Sequence, residues 1–175
     1  GFCLFDSAYT DYKSTNTKCG RDLVREFVDA FRAEGLKVGF YYSLLDWHHP
    51  DYPAYGDMYH GDRNNKALMG KTHNFENYLT YLHNQVRELM TNYGKIDILW
   101  FDFSYKGHMG EDWHGTELVK LVKSLQPDII MNGRLEANGE NYGSVMTDEP
   151  NVFSGDFASP EMIIPPAGLQ TPSGM

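Results

Sequence analysis

Apolar residues recur at helical spacing in three separate stretches, and each stretch is followed within a few residues by a short β-branched or aromatic run. No other feature restricts the fold as much. The helical stretches are Leu23, Val24, Phe27, Val28, Phe31; then Phe75, Leu79, Leu82, Val86, Leu89, Tyr93; then Leu118, Leu121, Val122, Leu125. Each has one apolar face to bury. They stop at Gly35, Gly94 and Pro127, since glycine accepts the left-handed conformation that ends a helix and proline cannot continue one. The runs Val38 to Tyr42, Ile96 to Phe101 and Ile129 to Asn132 then read as strands. Helix, strand, helix, strand, helix, strand is the order of a parallel sheet with helices packed outside it.

The sheet can be an open α/β sheet or part of a closed barrel. The helix-to-strand turns are tiny (Gly35-Leu36-Lys37, Gly94-Lys95, Pro127-Asp128), whereas the strand-to-helix loop from Ser43 to His73 is long and aromatic. Both architectures place their sites beyond the C-terminal ends of the strands. No GxGxxG follows any strand, which disfavours a dinucleotide-binding open sheet. The fold class predicted is α/β, a (β/α)₈ TIM-like barrel. Three strands and a fourth ending near Phe5 are fewer than eight, so residues 1–175 are read as one partial barrel domain, its central part. The Gly- and Pro-rich stretch from Pro165 to Met175 is read as a tail.

An apolar fraction of 41% in 175 residues supports a packed core. The net charge of -9, with 15 Lys and Arg and no basic run, argues against a nucleic-acid partner, whose phosphates demand clustered positive charge. No apolar run is long enough to span a bilayer, so no membrane partner is predicted. Cys3 and Cys19 have neither CxxC spacing nor the density of a disulfide scaffold and are read as ordinary thiols.

In Ile96 to Asp102 the side chains alternate, so Ile98, Trp100 and Asp102 share one face while Asp97, Leu99 and Phe101 share the other. Trp100 then lies beneath Asp102. A carboxylate at the C-terminal end of an apolar barrel strand is where a catalytic group belongs; the alternative is a turn or helix-capping aspartate. By the same parity Tyr41 faces the pocket while Phe40 and Tyr42 face the helices. Asn132 and Arg134 share a face after the third strand, and an arginine there can hold a substrate oxygen or orient a carboxylate, or form a surface ion pair. The seven histidines, His48 and His49 among them, show no HExxH or comparable spacing, so no metal site is predicted. GxSxG is absent, which leaves Asp and Glu as the catalytic candidates.

Six segments together resemble glycoside hydrolase family 29, the α-L-fucosidases: Gly1-Phe2-Cys3-Leu4-Phe5-Asp6-Ser7, Arg21-Asp22-Leu23-Val24, Gly39-Phe40-Tyr41-Tyr42-Ser43 with Asp46-Trp47, Gln85-Val86-Arg87-Glu88-Leu89, Ile96 to Asp102, and Asn132-Gly133-Arg134. The resemblance rests on their order and spacing, and it implies the barrel that the alternation suggests independently. It also implies that Asp102 is the nucleophile, that Glu161 is the acid/base, and that Tyr41, Trp100, Arg134 and Trp47 contact the substrate. Glu136, Glu140 and Glu149 are the alternatives to Glu161. A histidine pair before Gly1 and a tryptophan-glutamate segment beyond Met175 complete the family's pattern, so truncation at both ends is expected.

What the resemblance implies chemically is two-step hydrolysis with retention of a fucosylated oligosaccharide or glycoconjugate, with no metal or organic cofactor. Two other readings stay open: a barrel glycosidase for another sugar, and a sugar-binding relative without catalysis. The family's settings are secreted, periplasmic or lysosomal; the sequence leaves compartment and oligomeric state open.

Overall fold

The computed structural model describes residues 1–136, 151–157 and 159. Three parallel strands, β1 (Gly39–Ser43), β2 (Ile98–Asp102) and β3 (Ile130–Met131), lie in the order β1-β2-β3. Helix α1 (Leu23–Ala33) precedes β1, α2 (Phe75–Asn92) joins β1 to β2, and α3 (Gly115–Leu125) joins β2 to β3. All three helices fall where the apolar spacing places them. Gly35 and Gly94 both take positive φ, 70° and 71°, releasing the chain from α1 and α2 as C-terminal glycines do. Asp22 caps α1 by accepting from Arg25 N at 2.8 Å, and the Tyr93 hydroxyl at the end of α2 donates to its other oxygen at 2.7 Å. One carboxylate thus starts α1 and ties it to α2.

Burial alternates along both long strands, and the parity is the predicted one. Phe40, Tyr42, Leu99 and Phe101 are buried on the helix side, whereas Gly39 and Tyr41 are exposed and Ile98, Trp100 and Asp102 half-buried on the other face. The register pairs Tyr41 with Trp100 and Ser43 with Asp102. Helices α2 and α3 pack against each other, so both crossovers cover the same face of the sheet, where the core residues Leu82, Val86, Leu118 and Val122 join the strand side chains. The Tyr42 hydroxyl meets that core by donating to Gln85 Oε1 at 2.9 Å.

Two expectations change. The strand predicted to end near Phe5 is absent from the described residues: Cys3 makes one isolated bridge to Lys13, donating to Tyr12 O and accepting from Ser14 N. Its backbone groups are therefore spent on the neighbouring loop. Strand β3 is two residues long instead of four, because Asn132 leaves the ladder and substitutes its side chain. Asn132 Oδ1 accepts from Phe101 N at 3.0 Å and Nδ2 donates to Phe101 O at 2.9 Å. The carboxamide mimics a peptide unit beside β2.

Cys3 is buried, Cys19 is exposed, and both thiols are free. Among the described residues no helix is long and apolar enough to cross a membrane.

The two aspartates of β2's neighbourhood serve opposite ends of the sheet. Asp97 accepts from Val38 N at 2.9 Å and lies within 3.4 Å of Lys37 and 3.8 Å of Lys95. The amide of Val38 first, and then the lysines, hold its carboxyl below the usual carboxylate range. A lowered folded-state pKa contributes stability that is complete above the unfolded value of about 3.9 and lost as pH falls through the folded value. Asp97→Ala should therefore cost about 1–2 kcal/mol at neutral pH, and the gap from the parent should narrow as pH falls below about 3.9; thermal melts across pH read both. Asn132→Ala leaves the buried amide and carbonyl of Phe101 without these partners, and chemical denaturation should register a loss of about 2–4 kcal/mol.

Candidate active site

Asp102 ends β2 and turns its carboxylate to the open face. The Tyr41 hydroxyl donates to Oδ2 at 2.6 Å, and Arg134 Nη1 donates to Oδ1 at 2.9 Å. Tyr41 arrives there because β1 pairs in register with β2 and the two side chains share parity. Asp102 caps none of the described helices; among the described residues its side chain accepts from these two donors, one neutral and one cationic. Charge-assisted bonds of this kind are about twice as strong as neutral ones.

Arg134 comes from the turn after β3. That turn is pinned from β2's side, where Ser104 Oγ donates to Leu135 O at 3.0 Å and Trp113 Nε1 donates to the same hydroxyl at 3.1 Å. Gly110 N also donates to Leu135 O, at 2.6 Å. The Arg134 side chain is 9% exposed and that of Asp102 is 22% exposed, so the predicted arginine makes a largely desolvated pair and not a surface one. The guanidinium stands over the Trp100 ring, 5.4 Å from its centroid. Trp100 lies beneath Asp102, as alternation requires, and meets the Phe157 ring at 6.0 Å.

Immediately after Asp102 the chain makes a left-handed step: Phe103 has φ 74° and is 41% exposed. A bulky residue there costs about 1–2 kcal/mol, and such outliers collect at functional sites. The step lets Ser104 and Tyr105 turn back into the core, where they are buried.

The long loop after β1 is fixed by polar contacts. Asp46 accepts from the amides of His48 and His49 and, at 3.1 Å, from the Tyr81 hydroxyl. Asp57 accepts from the Tyr59 and His60 amides and from the Tyr105 hydroxyl, which also lies 2.8 Å from that of Tyr52. Trp47, predicted to touch substrate, is 52% exposed and leans on His60 at 5.8 Å; the contacts described do not join it to Tyr41, Asp102 and Arg134. Among the described residues no three His, Cys, Asp or Glu side chains converge as a metal site would require.

Of the acid/base candidates, Glu161, Glu140 and Glu149 lie outside the described residues. Glu136 is described: its Oε1 accepts from Asn151 Nδ2 at 2.5 Å. A cavity of about 300 Å³ runs between residues 1–5, β1 and α2, lined by Phe40, Tyr42, Leu45, Tyr81 and Gln85. Asp102 is not among its walls, whereas Tyr41, which donates to it, is.

Sequence reasoning missed Ser159. Arg134 Nε donates to Ser159 Oγ and Nη2 to Ser159 O, both at 2.9 Å. No local pattern signals such a contact between a turn and a residue far along the chain.

The family model described as Alpha-L-fucosidase matches residues 1–160. Alpha-L-fucosidase 1 of Arabidopsis thaliana is 31% identical over 135 residues, which are 75% of this chain and 23% of that protein. Among solved structures, alpha-L-fucosidase isoenzyme 1 from Paenibacillus thiaminolyticus is 57% identical with a TM-score of 0.93, covering 99% of this chain and 40% of that one. The alpha-L-fucosidase AlfC D200A, in complex with Fuca(1,6)GlcNAc, is 29% identical with a TM-score of 0.65, covering 79% of this chain and 45% of that one. The chain thus spans about a quarter of the plant relative and less than half of these solved ones. With a match running across nearly all of its length, and Asp102 held by Tyr41 and Arg134 inside that match, the chain belongs to the alpha-L-fucosidase family.

Proposed function

We propose that this chain is the central part of the (β/α)₈ catalytic barrel of a retaining α-L-fucosidase in which Asp102 is the nucleophile and Glu161 the acid/base. The observation that carries the reading is the pair of donors on Asp102, assembled at the C-terminal ends of adjacent parallel strands. Barrel enzymes build their sites there. Sequential strand order with both crossover helices on one face supports a barrel over a doubly wound sheet, whose order reverses. The exposure of Gly39 and Tyr41 fits a barrel interior awaiting its remaining strands. A fucosylated glycan is the substrate class, in keeping with the disaccharide bound to AlfC.

In the first step an Asp102 oxygen attacks the anomeric carbon, the bond to the aglycone oxygen breaks, and Glu161 gives that oxygen its proton. In the second, Glu161 takes a proton from water, the water oxygen bonds to the anomeric carbon, and the Asp102 carboxylate leaves. Tyr41 and Arg134 fix the carboxylate's orientation in the first step and receive its returning charge in the second. Trp100, beneath Asp102, offers an apolar wall for the sugar's methyl group, worth about 0.8 kcal/mol when that group leaves water. Trp47 is proposed as an outer contact for the glycan, half exposed at the start of the loop after β1.

Glu161 is favoured over Glu136 because the segment from Gly155 to Glu161 resembles the family's acid/base region, whereas Glu136 already accepts from Asn151 Nδ2. Ser159 is bonded to Arg134, which is bonded to Asp102, and two residues of chain span at most about 7 Å. That leaves Glu161 able to approach the roughly 5 to 5.5 Å separation of a retaining pair.

In the whole protein, Asp102→Gly should lower turnover of an aryl α-L-fucoside on the order of 10⁴-fold, and azide should restore part of it as a fucosyl azide. Activity near that of the parent would refute the nucleophile. Glu161→Ala should spare an activated aryl fucoside, whose leaving group needs little proton transfer, while abolishing cleavage of a fucosyl disaccharide. If Glu136→Ala gives that split and Glu161→Ala does not, the acid/base is Glu136.

A further inference from the structure

Residues 155–157 and Ser159 are fastened to the end of β3 and to the turn that follows it. Gly155 has φ 81° and lies so close to β3's end that a Cβ there would stand 2.4 Å from Asn132 C and Gly133 N. Only glycine fits that approach. Asp156 N donates to Met131 O at 2.6 Å, while Asp156 Oδ2 accepts from Met131 N at 2.7 Å and from Lys123 Nζ of α3 at 2.9 Å. Phe157 bridges Asn132 in parallel, and its carbonyl accepts from Gly133 N at 3.2 Å. The Phe157 ring then packs on Trp100. Ser159 takes Arg134 Nε on its hydroxyl and Nη2 on its carbonyl.

A guanidinium is a rigid plane, so holding two of its nitrogens orients the third. With Nε and Nη2 on Ser159, Nη1 is left aimed at Asp102 Oδ1. We propose that Ser159 is a positioning residue that acts through Arg134 to set the attack geometry of Asp102, with Gly155 and Asp156 as the anchors that place it. The proposal rests on the reading of Asp102 as nucleophile.

The test uses the whole protein and 2-deoxy-2-fluoro-α-L-fucosyl fluoride, which labels a retaining nucleophile covalently. The labelling rate reads attack directly, and peptide mass spectrometry reads the labelled residue. For Ser159→Ala the rate should fall about ten-fold, equivalent to about 1.4 kcal/mol of barrel-site stabilisation lost in the transition state, with the thermal midpoint kept and Asp102 still the labelled residue. Ser159→Thr, which keeps the hydroxyl, should label within about two-fold of the parent, whereas Ser159→Val, its isostere without the hydroxyl, should match the alanine variant. The Thr and Val pair carries the comparison even if alanine proves destabilising. Parent-like labelling of Ser159→Val overturns the proposal, as does equal slowing in Thr and Val. Labelling of the parent at a residue other than Asp102 instead overturns the reading of the nucleophile.

Discussion

The Arg134 guanidinium, shared between Asp102 and Ser159, is the contact on which the arrangement of the open face turns. An exposed pair such as Arg21 with Glu26 contributes little, because water screens both ends. With Arg134 only 9% exposed, removing its carboxylate partner Asp102 would leave a largely desolvated charge, at about 3–5 kcal/mol. Two acceptors on Ser159, a carboxylate and the Trp100 ring together replace the water that the cation gives up. The side-chain ladder of Asn132 and the close approach of Gly155 lie along the same stretch that carries Arg134.

Asp97 and Asp102 bound the same strand segment and have different fates. Asp97, at the N-terminal end, closes the sheet by accepting from Val38 and lies between two exposed lysines. Asp102, at the C-terminal end, holds no backbone amide in place among the described residues; its donors there are side chains facing the open side. The strained step at Phe103 separates that carboxylate from the core that resumes at Ser104. The contacts of Asp97 thus close the sheet at one end of the strands, while those of Asp102 gather side chains on the open face at the other.

What was legible in the sequence was what depends on nearest neighbours. Apolar spacing located α1, α2 and α3, and glycine's tolerance of positive φ marked where two of them end. Period-two alternation assigned Tyr41, Trp100 and Asp102 to one face and Phe40, Tyr42 and Phe101 to the other, because a strand offers no other choice. The supposed strand near Phe5 and the last residues of β3 were misread because pairing needs a partner. Cys3 found Lys13 instead, and Asn132 found the backbone of Phe101 through its side chain.

By itself, then, the sequence determined the alternating α/β order, the helix ends, the strand faces and the candidacy of Asp102, all set by local sterics and by periodic burial. Tertiary structure alone decided that Asp102 meets Tyr41 and Arg134, that Trp47 lies with His60, and that Ser159 steadies the arginine. These contacts join residues far apart in the chain, and no local propensity encodes them. They form because a desolvated charge must find partners, and only the folded chain can bring those partners within hydrogen-bonding distance.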